Sequence, residues 1–243
     1  MMQHSNNLWL KFIPVILFIG LGIGITIYFV NNPGGAMAAR VLSYDYILRL
    51  TQEHITMVLV SSIAAILTAI PLGIIISREK VGAIGPFIEN TVNVAQTVPS
   101  LAIIALFFTI FGLGFYTAVF ALWCYSLLPI LRNTYAGIKS VPPGVIEAAK
   151  GMGMPNYRIL YQIEMPLAFP VIMAGIRNAV VINVGTATLA TFIGAGGLGH
   201  LIVTGIQVQR LSLLLVGCIL SALLALTFDH LLAILEQRGI KIT

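Results

Sequence analysis

Ionisable side chains are scarce in this sequence, so each can be asked what chemistry it could perform. Eight Asp or Glu and four His stand among 243 residues. Asp229 is the one acid well inside an apolar run, and His230 beside it raises a proton relay as one reading. An interfacial acid paired with a neighbouring Arg is the plainer one, because intramembrane acids need partners. His54 and His200 are isolated, and no His/Cys/Asp/Glu set has the spacing of a metal site. Cys124 and Cys218 lie in apolar runs, where cysteine usually serves as a small buried hydrophobe. No G-x-x-x-x-G-K-[ST] phosphate loop occurs. The glycines of Gly194–His200 (GAGGLGH) lack its Lys-Ser/Thr and sit at the end of an apolar run, so they read as a loop. No catalytic, cofactor-binding or metal-binding residue is expected on this chain, and no clustered set suggests a membrane-embedded enzyme.

A second group of side chains is polar but not ionisable. Asn93, Gln96, Thr97 and Ser100 fall in one apolar run, with Pro99 able to kink it. Asn178, Asn183, Thr186, Thr188 and Thr191 fall in another, with Arg177 near one end and Gly185 permitting close packing or a bend. Polar residues within a membrane need a partner or a water-filled cavity. Two readings stand side by side: these residues line a path for solute, or they hold helices together by hydrogen bonds.

Composition dictates the setting. Hydrophobic residues make up 58% and charged residues 9%, with mean hydropathy +1.00. Ordinary globular domains carry roughly 25% charged residues, so a water-facing surface of normal polarity is excluded. Disorder is excluded by the same figures. The net charge of +5 comes from basic residues scattered through short hydrophilic gaps, which does not suit a nucleic-acid partner. Six apolar runs approach the ~20 residues that a membrane helix needs. They are Phe12–Val30, about Ile55–Ile76, about Ile88–Phe111, Phe115–Leu131, about Pro170–Ile193 and Leu211–Leu232. Continuous runs without alternation predict helices, the form that satisfies its own backbone in lipid. The expected fold is therefore all-α and polytopic, with about six transmembrane helices.

Lys and Arg set the expected orientation. With the N-terminus inside, the inner segments hold Lys11, Arg78, Lys80, Arg132, Lys139, Lys150, Arg158, Arg238 and Lys241, and the outer ones only Arg40, Arg49 and Arg210. The positive-inside bias then predicts both termini in the cytoplasm. The first run is longer than a signal-peptide core and is expected to stay as an anchor, followed by the loop residues Asn31–Gly35. Pro142-Pro143 stops the preceding helix, and a short helix is predicted over Val145–Met152. Glu147 is expected near its N-terminal dipole. Gly153 and Pro155 terminate it. Asn156 is expected to cap a second short helix over Tyr157–Glu164, after which Pro166 and Pro170 punctuate the return to the membrane. Ala149 and Gly153 lie four apart, a face that another surface could approach closely.

This segment carries a resemblance. Glu147-Ala148-Ala149, three residues, Gly153, nine residues and Ile163-Glu164-Met165-Pro166 is similar to the EAA loop of bacterial ABC importer permeases, with Met165 where that family usually has Leu. Over roughly residues 50–235 the chain resembles the osmoprotectant branch, whose permeases import glycine betaine, choline and carnitine. The stretches QTVPSLAIIALFF, LLPILRNTYAGIK and MPLAFPVIMAGIRNAVVINVGTATLATFIGAGGLG carry that likeness.

The resemblance implies a type I ABC importer permease fold, with residues 1–50 as anchor helix and external loop and 51–243 as the permease domain containing the coupling loop 132–169. It implies that Glu147, Ala148, Ala149 and Gly153 sit at the contact with a separate ATPase, with Ile163 and Pro166 in the same ATPase-coupling set. It implies two ATPase subunits holding ATP and Mg, a second permease subunit, identical or related, and a separate extracytoplasmic solute-binding protein. Asn93, Gln96, Thr97, Asn183, Thr186 and Thr188 are the expected path residues for a small solute, in a multi-pass protein of the bacterial inner membrane. A quaternary ammonium head binds tightly on aromatic faces. Phe107, Phe108, Phe111, Phe115, Tyr116, Trp123 and Tyr125 suit lipid and packing surfaces equally well, so selectivity is expected in the binding protein. The alternatives are a permease for another small solute such as methionine, or an ion-driven secondary transporter. Sparse intramembrane acids speak against the latter.

Overall fold

The computed structural model describes residues 8–78, 90–91 and 97–240, and every regular element among them is helical. In chain order these are α1 (Leu8–Asn31), α2 (Ala36–Val41), α3 (Tyr44–Ile76), α4 (Ser100–Phe111), α5 (Phe115–Lys139), α6 (Pro143–Gly151) and α7 (Asn156–Ile159). A π-helical turn (Leu160–Glu164) follows, then α8 (Met165–Ala187), a 3₁₀ segment (Thr188–Ile193), α9 (Gly199–Gln207) and α10 (Leu211–Ile240). Four continuous helical stretches are long and apolar enough to cross a bilayer: Tyr44–Ile76, Phe115–Lys139, Asn156–Ile193 and Leu211–Gln237. α3 has 33 residues and is about 50 Å long. It is longer than the ~30 Å hydrocarbon layer is thick, and its first three turns carry the polar Asp45, Arg49 and Glu53.

α3, α5 and α8 form the centre. Met57, Ala65, Leu122, Ile130, Ile172 and Val184 are among the buried residues of that core. Lipid offers no hydrophobic drive between helices, so close backbone approach matters. Two glycines provide it. A Cβ on Gly73 of α3 would lie 2.6 Å from Thr134 Cβ of α5, and one on Gly175 of α8 would lie 2.5 Å from Asn133 Cβ of α5. α1 lies along α10, where Gly22 faces Leu223. A second cluster, including Leu42, Leu50, Leu201 and Leu213, closes the end of the bundle that carries α2 and α9. α6 and α7 stand at the opposite end.

Several expectations shift. The fifth run begins earlier than Pro170, because helix continues from Asn156 through Ile193. Pro166 falls in the first turn of α8, where its missing N–H is harmless. The π turn just before it widens the helix where its ring would press on the preceding carbonyls. Pro99 starts α4 rather than kinking a longer helix. At 12 residues, α4 is about 18 Å long, too short to span alone. Most of the remainder of the expected third run, including Asn93 and Gln96, lies outside the described residues. Gly185 has no atom of another part of the chain within 4 Å of its Cβ position, so Gly175 is the close-approach glycine of α8.

Candidate coupling element and membrane path

α6 starts at Pro143, two residues earlier than expected, and Pro142 precedes it in an extended conformation. Glu147 is therefore its fifth residue, beyond the first turn, and the dipole argument for that acid lapses. The helix closes on a Schellman motif. Met154 N–H donates to Ala149 O at 3.1 Å and Gly153 N–H to Lys150 O at 2.9 Å. Gly153 adopts φ +79°, the left-handed conformation that such a cap demands and that a Cβ disfavours. Its Cβ position meets nothing within 4 Å. Asn156 opens α7 without a side-chain cap, since Pro155 holds the capping position.

Burial sorts the residues of this element. Ala149 is 1% exposed and turned into the chain, so it anchors α6 rather than sharing with Gly153 the outward face expected of the pair. Glu147, Ala148 and Gly153 face outward, with Val145 and Met152 exposed beside them. Ile163 and Pro166 are half-buried at the root of α8. Glu164, between them, is buried, and Arg78 at the end of α3 grips it with Nη1–Oε1 at 3.1 Å and Nη2–Oε2 at 2.6 Å. Behind α6 a cavity of about 450 Å³ opens, lined by Arg78, Lys139, Ile146, Glu147, Lys150 and Glu164 among others.

The polar residues of α8 divide by face. Asn183 has no exposed surface, and its Nδ2 donates to Ser61 Oγ at 3.0 Å and Ser62 Oγ at 3.1 Å. His54 is equally buried and bonds through Nε2 to Val184 O at 3.0 Å. These contacts tie α8 to α3. Thr186 is buried beside them. Thr188 caps the turn by donating to Gly185 O at 2.7 Å and stands, with Asn178 and Gly185, on the opposite, open face. Near one end of that face Asn178 and Val181 line a cavity of about 300 Å³ with Arg177, Asp229 and Glu236. Arg177 holds Asp229 through two bonds of 2.8 and 2.9 Å and reaches Glu236 at 3.2 Å. Asp229 is thus an acid paired with an Arg of the neighbouring helix. Thr97 is exposed, at the turn before α4.

Phe107, Phe111, Phe120 and Trp123 of α4 and α5 pack on one another, whereas Phe108 and Tyr116 are exposed. Phe107 and Phe120 meet edge-to-face at 4.8 Å, and Phe111 and Trp123 each lie 5.2 Å from Phe120. Trp123 Nε1–H donates to Thr68 Oγ1 at 3.1 Å. Rings engaged this way leave their faces to each other rather than framing a cage.

A membrane bundle whose buried polar groups tie helices together, and which presents a short capped helix between two spans, has the build of a transport-system membrane component. Residues 69–241 match the model of the family described as binding-protein-dependent transport system inner membrane component, and the chain belongs to that family. It is 45% identical over 188 residues to the choline transport system permease protein OpuBB of Bacillus subtilis, covering 77% of this chain and 86% of that one. Against the carnitine transport permease protein OpuCD of Listeria monocytogenes it is 44% identical over 194 residues, covering 79% and 86%. Against the osmoprotectant import permease protein OsmY of Salmonella typhimurium it is 45% identical over 192 residues, covering 79% and 81%. The fold is similar to that of the MetNI methionine ABC transporter in an inward-facing conformation, with TM-score 0.64 and 21% identity over 81% of this chain and 95% of that one. The chain is a permease subunit of an ABC importer.

Proposed function

We propose that this permease carries a quaternary ammonium osmoprotectant such as glycine betaine, choline or carnitine, and that α6 couples it to ATP hydrolysis on a separate subunit. The build of α6 carries the coupling reading. It is short, capped at its C-terminal end, anchored through Ala149, and it turns Glu147, Ala148 and the bare Gly153 outward. A stiff helix of this kind passes displacement on with little internal give. Ile163 and Pro166 brace its return at the root of α8. The substrate class rests on the relatives, whose names specify choline, carnitine and osmoprotectant transport.

The chain is proposed to cross the bacterial inner membrane six times, with α1 and the segment ending in α4 completing the four longer spans. Both termini and α6 then face the cytoplasm, as the Lys and Arg distribution favours. Residues 1–50 form the anchor and external loop, and 51–243 the permease domain, with the coupling loop at 132–169. A second permease copy or relative, two ATPase subunits binding ATP and Mg, and an extracytoplasmic binding protein complete the assembly. Solute would pass along the open face of α8 by Asn178, Gly185 and Thr188; Thr97, Asn93 and Gln96 stay proposed as path residues on the sequence alone. Asn183 and Thr186 stand behind that face, in the seam with α3. The mutual packing of Phe107, Phe111, Phe120 and Trp123 supports a weakly binding passage, with selectivity on the binding protein.

The test is purification of the complex in detergent and reconstitution in liposomes. Co-purification of an ATPase and stimulation of ATP hydrolysis by binding protein loaded with glycine betaine, choline or carnitine are the expected results. Solute uptake by the isolated chain without nucleotide would refute the reading.

A further inference from the structure

We infer that the Arg78–Glu164 ion pair is a strut that carries the motion of α6 into α3, which makes these two side chains positioning residues for transport. The inference rests on the coupling role proposed above for α6. Covalent connection takes α6 only to its chain neighbours, α5 on one side and α8, through α7 and the π turn, on the other. α3 is not joined to it. Among the described residues a cavity of about 450 Å³ opens between α6 and the end of α3. The Arg78–Glu164 pair crosses at its rim.

The pair is built for stiffness. The Glu164 side chain is 6% exposed, and a carboxylate so enclosed is costly unless a cation meets it with good geometry. Arg78 does so with both arms of its planar fork, while its Nε–H donates to Ile74 O at 3.3 Å, which fixes the guanidinium to its own helix. Glu164 is the last residue of the π turn. Such turns are uncommon and concentrate at functional positions. The residue it adds offsets everything N-terminal to it by about 100° around the α8 axis, so it sets both the aim of Glu164 and the angle at which α6 leaves the bundle. Lys139, Lys150 and the exposed Glu147 border the mouth of the same cavity, yet none forms an ion pair among the described residues. Further along, Asn183 holds Ser61 and Ser62, and Val184 O holds His54. A push delivered at Glu164 therefore reaches α3 and α8 together.

The test uses the complete complex in liposomes, with ATP hydrolysis and solute accumulation measured on the same preparation. Arg78→Ala and Glu164→Gln are expected to retain the ATPase on purification and to move about tenfold less solute per ATP, the size of a typical coupling term. Arg78→Lys, a point charge without the fork, should fall between. The exchange Arg78→Glu with Glu164→Arg should recover most of the loss. Wild-type solute per ATP in either single variant overturns the inference. So does an exchange variant no better than the singles, including the case in which the singles fail to accumulate in the membrane and the exchange fails likewise. Failure of the coupling reading itself shows earlier and differently: the wild-type chain then retains no ATPase, and the strut falls with it.

Discussion

Gly153 separates two reasons for a glycine, and substitutions there can weigh them. The first reason is conformational. At φ +79° an L side chain costs roughly 1–2 kcal/mol, which lowers the population of the capped turn. If the partner ATPase binds only the capped form, its apparent affinity drops by that population factor, at most roughly 5–30-fold. The second reason is room. Among the described residues nothing lies within 4 Å of the Cβ position, so a Cβ meets no internal obstacle and a larger side chain points from an exposed turn. Gly153→Ala therefore reports the conformational term. Gly153→Asn reports less of it, because Asn tolerates the left-handed region. Gly153→Trp adds a bulky group at the contact, and displacing the centre of an interface costs about 2 kcal/mol or more, a further ~30-fold in Kd. The measurement is titration of the purified ATPase onto the permease in nanodiscs. The expected order of loss is Trp well beyond Ala, with membrane insertion unchanged in all three. If Gly153→Trp and Gly153→Ala bind equally, no partner covers this surface and the assignment of α6 is wrong.

The two glycines of α8 should behave oppositely. Gly175→Ala presses on Asn133 and on the Pro129 carbonyl at 3.0 Å and should lose about 1–3 kcal/mol by overpacking. Gly185→Ala enters open space and should be neutral or stabilising by up to ~1 kcal/mol. Thermal unfolding in detergent reads both, and equal effects would contradict the packing. In a background with Cys124 and Cys218 replaced by Ser, cysteines at Asn178 and Thr188 should react with polar thiol reagents. Cysteines at Asn183 and Thr186 should be protected, and the reverse pattern would move the path into the α3–α8 seam. Asp229→Asn leaves Arg177 its bond to Glu236 and should cost about 1 kcal/mol. Arg177→Ala leaves two carboxylates without their cation and should cost more, about 3 kcal/mol, in the same unfolding assay.

The short helix α6 was legible because its signals are local. Pro142-Pro143 and Gly153 bound a short helix by backbone chemistry alone, and their positions in the structure differ from expectation by only about a turn's fraction. The partnership of Asp229 was legible in kind, since an acid in an apolar run needs a cation, although Arg177 lies 52 residues away. What could not be read were the properties that depend on rotation about a helix axis. Asn183 and Asn178 are the same residue type in one apolar run, yet one faces a seam and the other a cavity. Gly175 and Gly185 differ in the same way. The π turn shifts that rotation by one residue, and a sequence of ordinary helix formers, Leu160-Tyr161-Gln162-Ile163-Glu164, does not announce it. The Arg78–Glu164 pair spans 86 residues and includes the one unspecified position of the Ile-x-Met-Pro string, so no motif draws the eye to Glu164.

The placement of charge now separates two uses of a scarce resource. Two ion-pair groups, Arg78–Glu164 and Arg177–Asp229/Glu236, tie the stretch from the π turn to the middle of α8 to its neighbours. One joins it to α3 and the other to α10. Toward the opposite end, α8 is held by the Asn183 amide and the His54 ring, and the loop beyond it by the Gly197 N–H, which donates to the half-buried Glu53 carboxylate at 3.1 Å. Neutral interhelical hydrogen bonds in membranes are worth only about 0.6 kcal/mol on average, whereas breaking an enclosed ion pair is several-fold dearer. On the coupling role proposed for α6, the bundle is tied more firmly where force would enter than where a gate would open. A permease driven from one side needs that gradient, because a uniformly stiff bundle would resist the motor and a uniformly soft one would dissipate its stroke before it reached the far face.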